Sequence, residues 1–401
     1  MKNKTLINLP HKVTFCKECV MSNQRPQSHV EFLHDKEKKG AKYLQMGEDG
    51  VCSPCKVWKI NNNMDWGKRH KELLRLLDKH RKGNGEFDCL VPGSGGKDSA
   101  FVSHLLKYKY GMNPLTCTWP PIMYTEYGFK NYKNWLKTSN FENIILKPKE
   151  YLMKYLTKKA ILNLLHPFQT FIIGQKNIAP KVAAEHNIKL IFYGESESLY
   201  NNSPEGFFKS KVDDKYFSID NFDNLVLGGI KIKDLYKSNY INKSDLNMFF
   251  PMSKELIQKK KIEMHYFGYY QKWLPQEIYY YAFNNTGYRP RPFRTDGTYS
   301  KYSSIDDKID DLHYYTMYIK FGIGRATAET SQEIRNNHLT REEGVNLVRK
   351  FDGEFPQRYF NEIMKYLEIK KDDFFKVCDE YRSPHLWKKL NKKWILKHKV
   401  K

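Results

Sequence analysis

Val91-Pro92-Gly93-Ser94-Gly95-Gly96-Lys97-Asp98-Ser99 lies between two apolar runs of different period. Before it, Phe87-Asp88-Cys89-Leu90-Val91 reads as a strand. After it, Ala100, Val102, Leu105 and Leu106 recur at helical spacing. Strand, glycine-rich turn and helix start, in that order, make an anion site. Glycines let the backbone approach a phosphate, and unpaired amides at the helix N-terminus point at it. Lys97 adds a positive charge, and Ser94 and Ser99 add hydroxyl donors.

The stretch is not a Walker loop, which needs four residues between its first glycine and Gly-Lys-Ser/Thr, and it is not GxGxxG. It resembles the SGGKDS signature of the PP-loop ATP pyrophosphatases. That resemblance implies cleavage of ATP between its α and β phosphates, adenylation of a carbonyl-type oxygen, and displacement of AMP by a nitrogen or sulfur nucleophile. A turn that merely joins strand to helix is the plainer reading.

With 401 residues the chain can hold two or three cores, and 40% hydrophobic with 15% aromatic residues argues for a folded protein. Lys+Arg 68 against Asp+Glu 45 leaves a net charge of +23, which favours an anionic partner or substrate. Nucleic acid, nucleotides and acidic sugars all qualify. No apolar run approaches the roughly 18 residues that cross a bilayer, and residues 1–10 lack a signal-peptide core. The expected location is the cytoplasm.

Cys16-Lys17-Glu18-Cys19 and Cys52-Ser53-Pro54-Cys55 are two CxxC knuckles, and Gly50 suits the tight turn before the second. Two such turns complete a tetrahedral thiolate site, so Cys16, Cys19, Cys52 and Cys55 are expected to hold structural zinc. Cys89, Cys117 and Cys378 are scattered thiols, and no second CxxC follows the phosphate loop.

Leu73, Leu74, Leu76 and Leu77 mark an amphipathic helix over 65–80. Beyond the loop, strands at 115–119, 143–146 and 189–193 alternate with helices at about 129–138, 150–165 and 171–186. This order predicts an α/β fold with a doubly wound parallel sheet, whose ligands sit beyond the carboxyl ends of the strands. Residues 94–99, Trp119-Pro120-Pro121 and Gly194-Glu195-Ser196-Glu197 would be the lips of that crevice. There Glu195 could hold Mg²⁺ or a substrate amine, or stand as a solvated loop acid.

Residues 200–265 lose the alternation and read as an insertion with short helices or strands. The aromatic stretch 264–283 is either core or a stacking surface for bases. Arg289, Arg291 and Arg294 sit on a Pro/Gly-punctuated loop suited to phosphate or carboxylate, or simply solvated. Asp306, Asp307, Asp310 and Asp311 are expected to open a helix to about Lys320, as first-turn caps or as metal or substrate contacts. A second glycine-rich turn, Lys320-Phe321-Gly322-Ile323-Gly324-Arg325, could cradle an anion or join two helices. Thr330-x-x-Glu333 and Thr340-x-x-Glu343 both read as capping boxes, and the basic tail 388–401 as a solvated end.

The cysteine knuckles, the SGGKDS turn, His166-Pro167-Phe168-Gln169, Ile173-Gly174-Gln175 and Tyr193-Gly194-Glu195 form one ordered series. Gly297-Thr298-Tyr299-Ser300, Ser304–Lys308, Lys320–Thr327 and Glu333-Ile334-Arg335 continue it. The series resembles the N-acetyl sugar amidotransferases of bacterial surface-glycan synthesis, of the lipopolysaccharide O-antigen and pseudaminic acid (flagellin glycan) type. It implies a PP-loop (HUP-like) domain over 61–300, after a zinc-ribbon-like segment at 1–60 and before a mostly helical region at 301–401. The implied reaction turns a sugar acetamido group into an acetamidino group with ATP and ammonia. Lys97, Asp98 and Glu195 would be catalytic. Ser94, Gly95, Gly96, Lys97, Asp98, Ser99, Lys320 and Arg325 would bind the cofactor, with ATP, Mg²⁺ and Zn²⁺ as cofactors. The substrate would be an acidic or nucleotide-linked acetamido sugar, and the ammonia would come from a separate glutaminase, with a barrel-type channelling subunit. Membrane and nucleic acid are not expected partners. The rival reading is a tRNA-modifying thiolase, favoured by the basic charge and opposed by the missing catalytic cysteine pair.

Overall fold

The computed structural model describes residues 5–28, 30–34, 41–194 and 207–401. After α1 (Ser53–Asn62), helix α2 (Trp66–His80) is started by Asp65, whose carboxylate accepts from the Lys68 amide at 2.9 Å. The elements β1 (Cys89–Pro92), α3 (Lys97–His104), β2 (Pro114–Thr118), α4 (Glu126–Ser139) and β3 (Asn143–Ile145) then alternate. They are followed by α5 (Glu150–Leu164), α6 (Gln169–Glu185) and β4 (Leu190–Tyr193). All fall within a few residues of the expected ranges, because the short apolar strands are bounded by Gly, Asn and Pro.

Residues 207–262 carry the hairpin β5 (Val226–Leu227) and β6 (Ile230–Lys231) with the short helices α7 (Ile232–Leu235), α8 (Lys243–Leu246) and α9 (Lys254–Lys259). Their Leu225, Leu227, Leu246 and Phe249 complete the core over α6. Strand β7 (Glu263–Tyr266) then joins the sheet beside β4. The sheet is parallel throughout, in the order β3-β2-β1-β4-β7. The order reverses between β1 and β4, so the carboxyl ends of those two strands bound the crevice. The aromatic stretch around β7 is core: Phe192, Phe267, Tyr270 and Trp273 are buried together with Phe101 of α3.

Helix α10 (Pro275–Asn285) packs on α3. It is followed by α11 (Asp310–Phe321), α12 (Arg325–Arg335), α13 (Arg341–Phe351), α14 (Phe360–Leu367) and α15 (Lys371–Glu380). Thr340 and Glu343 form a reciprocal capping box at α13, whereas Thr330 lies buried inside α12 and caps nothing. A cap has to precede its helix, and α12 begins five residues before Thr330. The tail is solvent-exposed over 388–393 and 397–399 as expected, but it is ordered, folding as the hairpin β8 (Trp387–Leu390) and β9 (Lys393–Leu396). Buried Trp387 donates its indole N–H to the Ile319 carbonyl (2.9 Å), and Val400 is buried beside Val20 and Val345. Among the described residues, no helix is long and apolar enough to cross a membrane.

Candidate functional site

The turn after β1 is built so that only glycine fits at its centre. Gly95 has φ +86°, and a Cβ there would lie 2.5 Å from the Tyr132 Cα of α4, backbone against backbone. Gly96 is the N-cap of α3, and no described residue accepts from the amides of Gly95 and Gly96. Lys97 Nζ donates to both carboxylate oxygens of Asp98 at 2.7 Å. Ser99 Oγ donates to the Gly96 carbonyl (3.1 Å), and Ser94 Oγ to Asp306 Oδ2 (2.7 Å). Ser94, Gly95, Gly96, Lys97, Asp98 and Asp306 line a pocket of about 220 Å³ together with Gly128, Asn131, Tyr302 and Arg325, whereas Ser99 does not reach it. Open amides, a lysine and an adjacent carboxylate suit a phosphate chain with its divalent cation.

The four aspartates do not act together. Only Asp310 and Asp311 lie in the first turn of α11. Asp307 accepts from the Ile122 and Ile309 amides (2.6 and 3.0 Å), fastening the segment before α11 to the loop after β2, and burial pushes its carboxyl up to about 7. Asp306 turns to Ser94, and burial raises its pKa as well. Its side chain is the one group at the turn that helix-start chemistry concealed. The three arginines of the neighbouring loop are engaged within the protein. Arg289 donates to the Phe283 and Tyr288 carbonyls, Arg291 is buried 3.9 Å from Asp311, and Arg294 forks onto Glu354 at 2.5 Å.

A second, larger cavity of about 810 Å³ opens beside the first. Lys97, Asp98, Tyr302, Ser303 and Arg325 line both. Lys320 reaches the larger one, its Nζ donating to the Leu164 carbonyl at 3.2 Å, and Arg325 is held by Glu329 (2.8 Å). The backbone of the second glycine-rich turn joins two helices. Gly322 (φ +67°) ends α11, and Asp352 accepts from the Gly324 and Thr327 amides (2.9 and 3.2 Å) at the start of α12. Its side chains, not its amides, face the cavity. Glu195, with Ser196 and Glu197, lies outside the described residues. Gly194 ends β4 so close to the turn that a Cβ on it would stand 3.6 Å from the Asp98 Cβ.

The four knuckle cysteines are buried with Cys16 Sγ 4.0 Å from Cys55 Sγ and Cys19 Sγ 3.7 Å from Cys52 Sγ. A tetrahedral ion with 2.3 Å bonds to sulfur separates its ligands by about 3.8 Å, so the set fits such an ion. The Glu18 and Cys52 amides point at Cys16 Sγ (3.4 and 3.3 Å), and hydrogen bonds with Cys19, Cys52 and Cys55 hold the Cys16 thiol far below its usual pKa. Buried Arg335 of α12 lies against these sulfurs. Cys89, Cys117 and Cys378 are enclosed, and burial raises all three thiols.

Residues 296–401 match the family model described as LPS biosynthesis protein WbpG-like, C-terminal domain. Over this quarter of the chain it is similar to the WbpG-like LPS biosynthesis proteins. The matched segment contains Gly297–Ser300, the second glycine-rich turn with Lys320 and Arg325, and Glu333–Arg335. A stretch of 65 residues is 34% identical to an uncharacterized protein of Methanocaldococcus jannaschii, spanning 16% of this chain and 23% of that protein. Among solved structures, the chain is similar to an NH3-dependent NAD synthetase from Campylobacter jejuni in complex with the nitrate ion. That match has 19% identity and a TM-score of 0.28, covering 49% of this chain and 92% of the other. It is also similar to the U34-tRNA thiolase NcsA from Methanococcus maripaludis with its 4Fe–4S cluster, at 14% identity and a TM-score of 0.30, covering 84% and 89%.

Proposed function

We propose that this chain uses ATP and ammonia to convert an acetamido group on an acidic or nucleotide-linked sugar into an acetamidino group, in surface-glycan synthesis of the O-antigen or pseudaminic acid type. The observation that carries this reading is the wall common to the two cavities. A phosphate-sized pocket at the sheet's switch point shares Lys97, Asp98 and Arg325 with a cavity large enough for a sugar.

An amide carbonyl is a poor electrophile. Attack of its oxygen on the α-phosphorus forms an O–P bond and expels pyrophosphate. Ammonia then adds at the activated carbon, loses a proton, and AMP departs with the oxygen. The Gly95 and Gly96 amides and Lys97 would take up the charge that gathers on the departing pyrophosphate. Asp98 and Asp306 are the carboxylates that would hold Mg²⁺, with Glu195 as a third candidate. Lys320 and Arg325 would meet the sugar's carboxylate or phosphate. Zinc at the four cysteines would be structural, since a closed thiolate set leaves no position for substrate. Ammonia would come from a separate glutaminase, and the expected compartment is the cytoplasm.

The test is mass spectrometry of candidate diacetamido sugars incubated with the full chain, ATP, Mg²⁺ and an ammonium salt. An acetamidino product with AMP supports the reading, and Lys97→Ala should abolish both. ADP in place of AMP, or AMP formation that depends on tRNA rather than sugar, overturns it.

A further inference from the structure

The larger cavity carries a cluster that the reaction above leaves unused. Glu31, in a single turn at Glu31–Leu33, faces two imidazoles. His34 Nδ1 is 2.9 Å from Glu31 Oε2, and His166 Nε2 is 3.5 Å from Glu31 Oε1. One ligand atom from each of the three residues lies within 4.8 Å of the other two. A tetrahedral ion with bonds near 2.0 Å needs its ligands about 3.3 Å apart, so small side-chain shifts would close this set around a metal.

The surroundings position these groups as a metal site would require. Gln169, fully buried, donates to the carbonyls of Glu31 and Val226 (both 2.9 Å) and accepts from the Gly228 amide (2.8 Å). It thereby clamps the Glu31 turn onto α6, three residues after His166. His166 stacks on His313 of α11 with centroids 5.4 Å apart, and the enclosed Nδ1 of His313 has no hydrogen-bond partner among the described residues.

We propose that Glu31, His34 and His166 form a second metal site, which takes a divalent first-row transition ion and keeps an open position toward the 810 Å³ cavity. Two imidazoles and a carboxylate are the donor set of open zinc and iron(II) sites, whereas the four cysteines make a closed one. The open position would accept an oxygen of whatever occupies the cavity. The metal assignment is independent of the amidotransferase reading.

Metal analysis of the full chain, saturated with zinc and desalted, provides the test. The expected result is about two zinc ions per chain in the parent and about one in His166→Ala and Glu31→Gln, with the remaining ion released by a thiol-blocking mercurial. A parent holding one ion, or variants that keep the parent's content, would overturn the site. Should those variants fail to fold, cobalt titration of the parent decides. The first equivalent should show intense thiolate-to-metal charge transfer, and the second weak visible bands without it. Added azide should shift only the second set. If no second set forms, the site is absent, and if azide leaves that set unmoved, the open position is refuted.

Discussion

At residues 93–96 the start of a helix lines a pocket, while at residues 322–325 another meets a carboxylate. Both turns are glycine-rich, with a nearby lysine and a following helix, and both read as anion cradles. What separates them is the partner across the gap. Opposite the first stand Gly128 and the Tyr132 backbone of α4, which approach without filling the space. Opposite the second stands Asp352, which already occupies the Gly324 and Thr327 amides as a built-in anion. A helix N-terminus thus becomes a site only where the fold withholds an acceptor from it.

The difference can be attacked most strongly at Gly95. Gly95→Ala should lower ATP-dependent turnover by at least about 10²-fold, because the cradle must move to relieve the Tyr132 clash. Turnover close to the parent's would mean that the first turn is no more a site than the second. At the other turn, Asp352→Ala should cost about 1–3 kcal/mol of stability by leaving buried amides unpaired. Denaturant melts measure this, and calorimetry should find no new nucleotide site; a second ATP equivalent would show that the α12 terminus can bind after all.

Asp352→Asn sharpens the contrast through pH. Burial lifts the Asp352 carboxyl to about 6, above its unfolded value of about 3.9. The folded state therefore holds this proton more tightly, and stability is lost as pH rises from about 4 to about 6. Asparagine cannot ionise, so the stability difference between pH 4 and pH 7 should shrink by roughly 2–3 kcal/mol relative to the parent. An unchanged difference would show that Asp352 already ionises normally. The smallest effect belongs to Gly322→Ala, with φ +67° but only the flexible Leu396 side chain 3.0 Å from the new Cβ. It should cost about 1 kcal/mol, read as a small fall in Tm, and leave turnover intact; a large loss of activity would show that the turn's backbone, and not only its Lys320 and Arg325 side chains, serves the reaction.

Much of this was legible in the residues themselves. Four of the five sheet strands announce themselves as short apolar runs between breakers, and the two CxxC pairs carry their own geometry. Strand β7 did not, because Glu263-Met264-His265-Tyr266 lacks a β-branched run and precedes a dense aromatic stretch that suits any buried element. Asp306 was hidden by its neighbours. Four aspartates before a helix read as caps, and only the tertiary approach of Ser94 distinguishes one of them. The arginine loop misled for the opposite reason: the carboxylates that meet it, Asp311 and Glu354, lie 20 and 60 residues further along the chain. Glu31 and His34 are likewise 130 or more residues from His166, a separation that no local pattern spans.

Helix α12 runs for 11 residues, about 16 Å, from Arg325 at the two cavities to Arg335 against the cysteine cluster. One rigid rod therefore has a cavity-facing cation at one end and a sulfur-facing cation at the other. Stripping the cysteines of metal would set loose the near end and so tilt the far one. A chelator that never enters the 220 Å³ pocket should for this reason weaken anion binding there, and retention of full affinity by the stripped chain would show the two ends to be uncoupled.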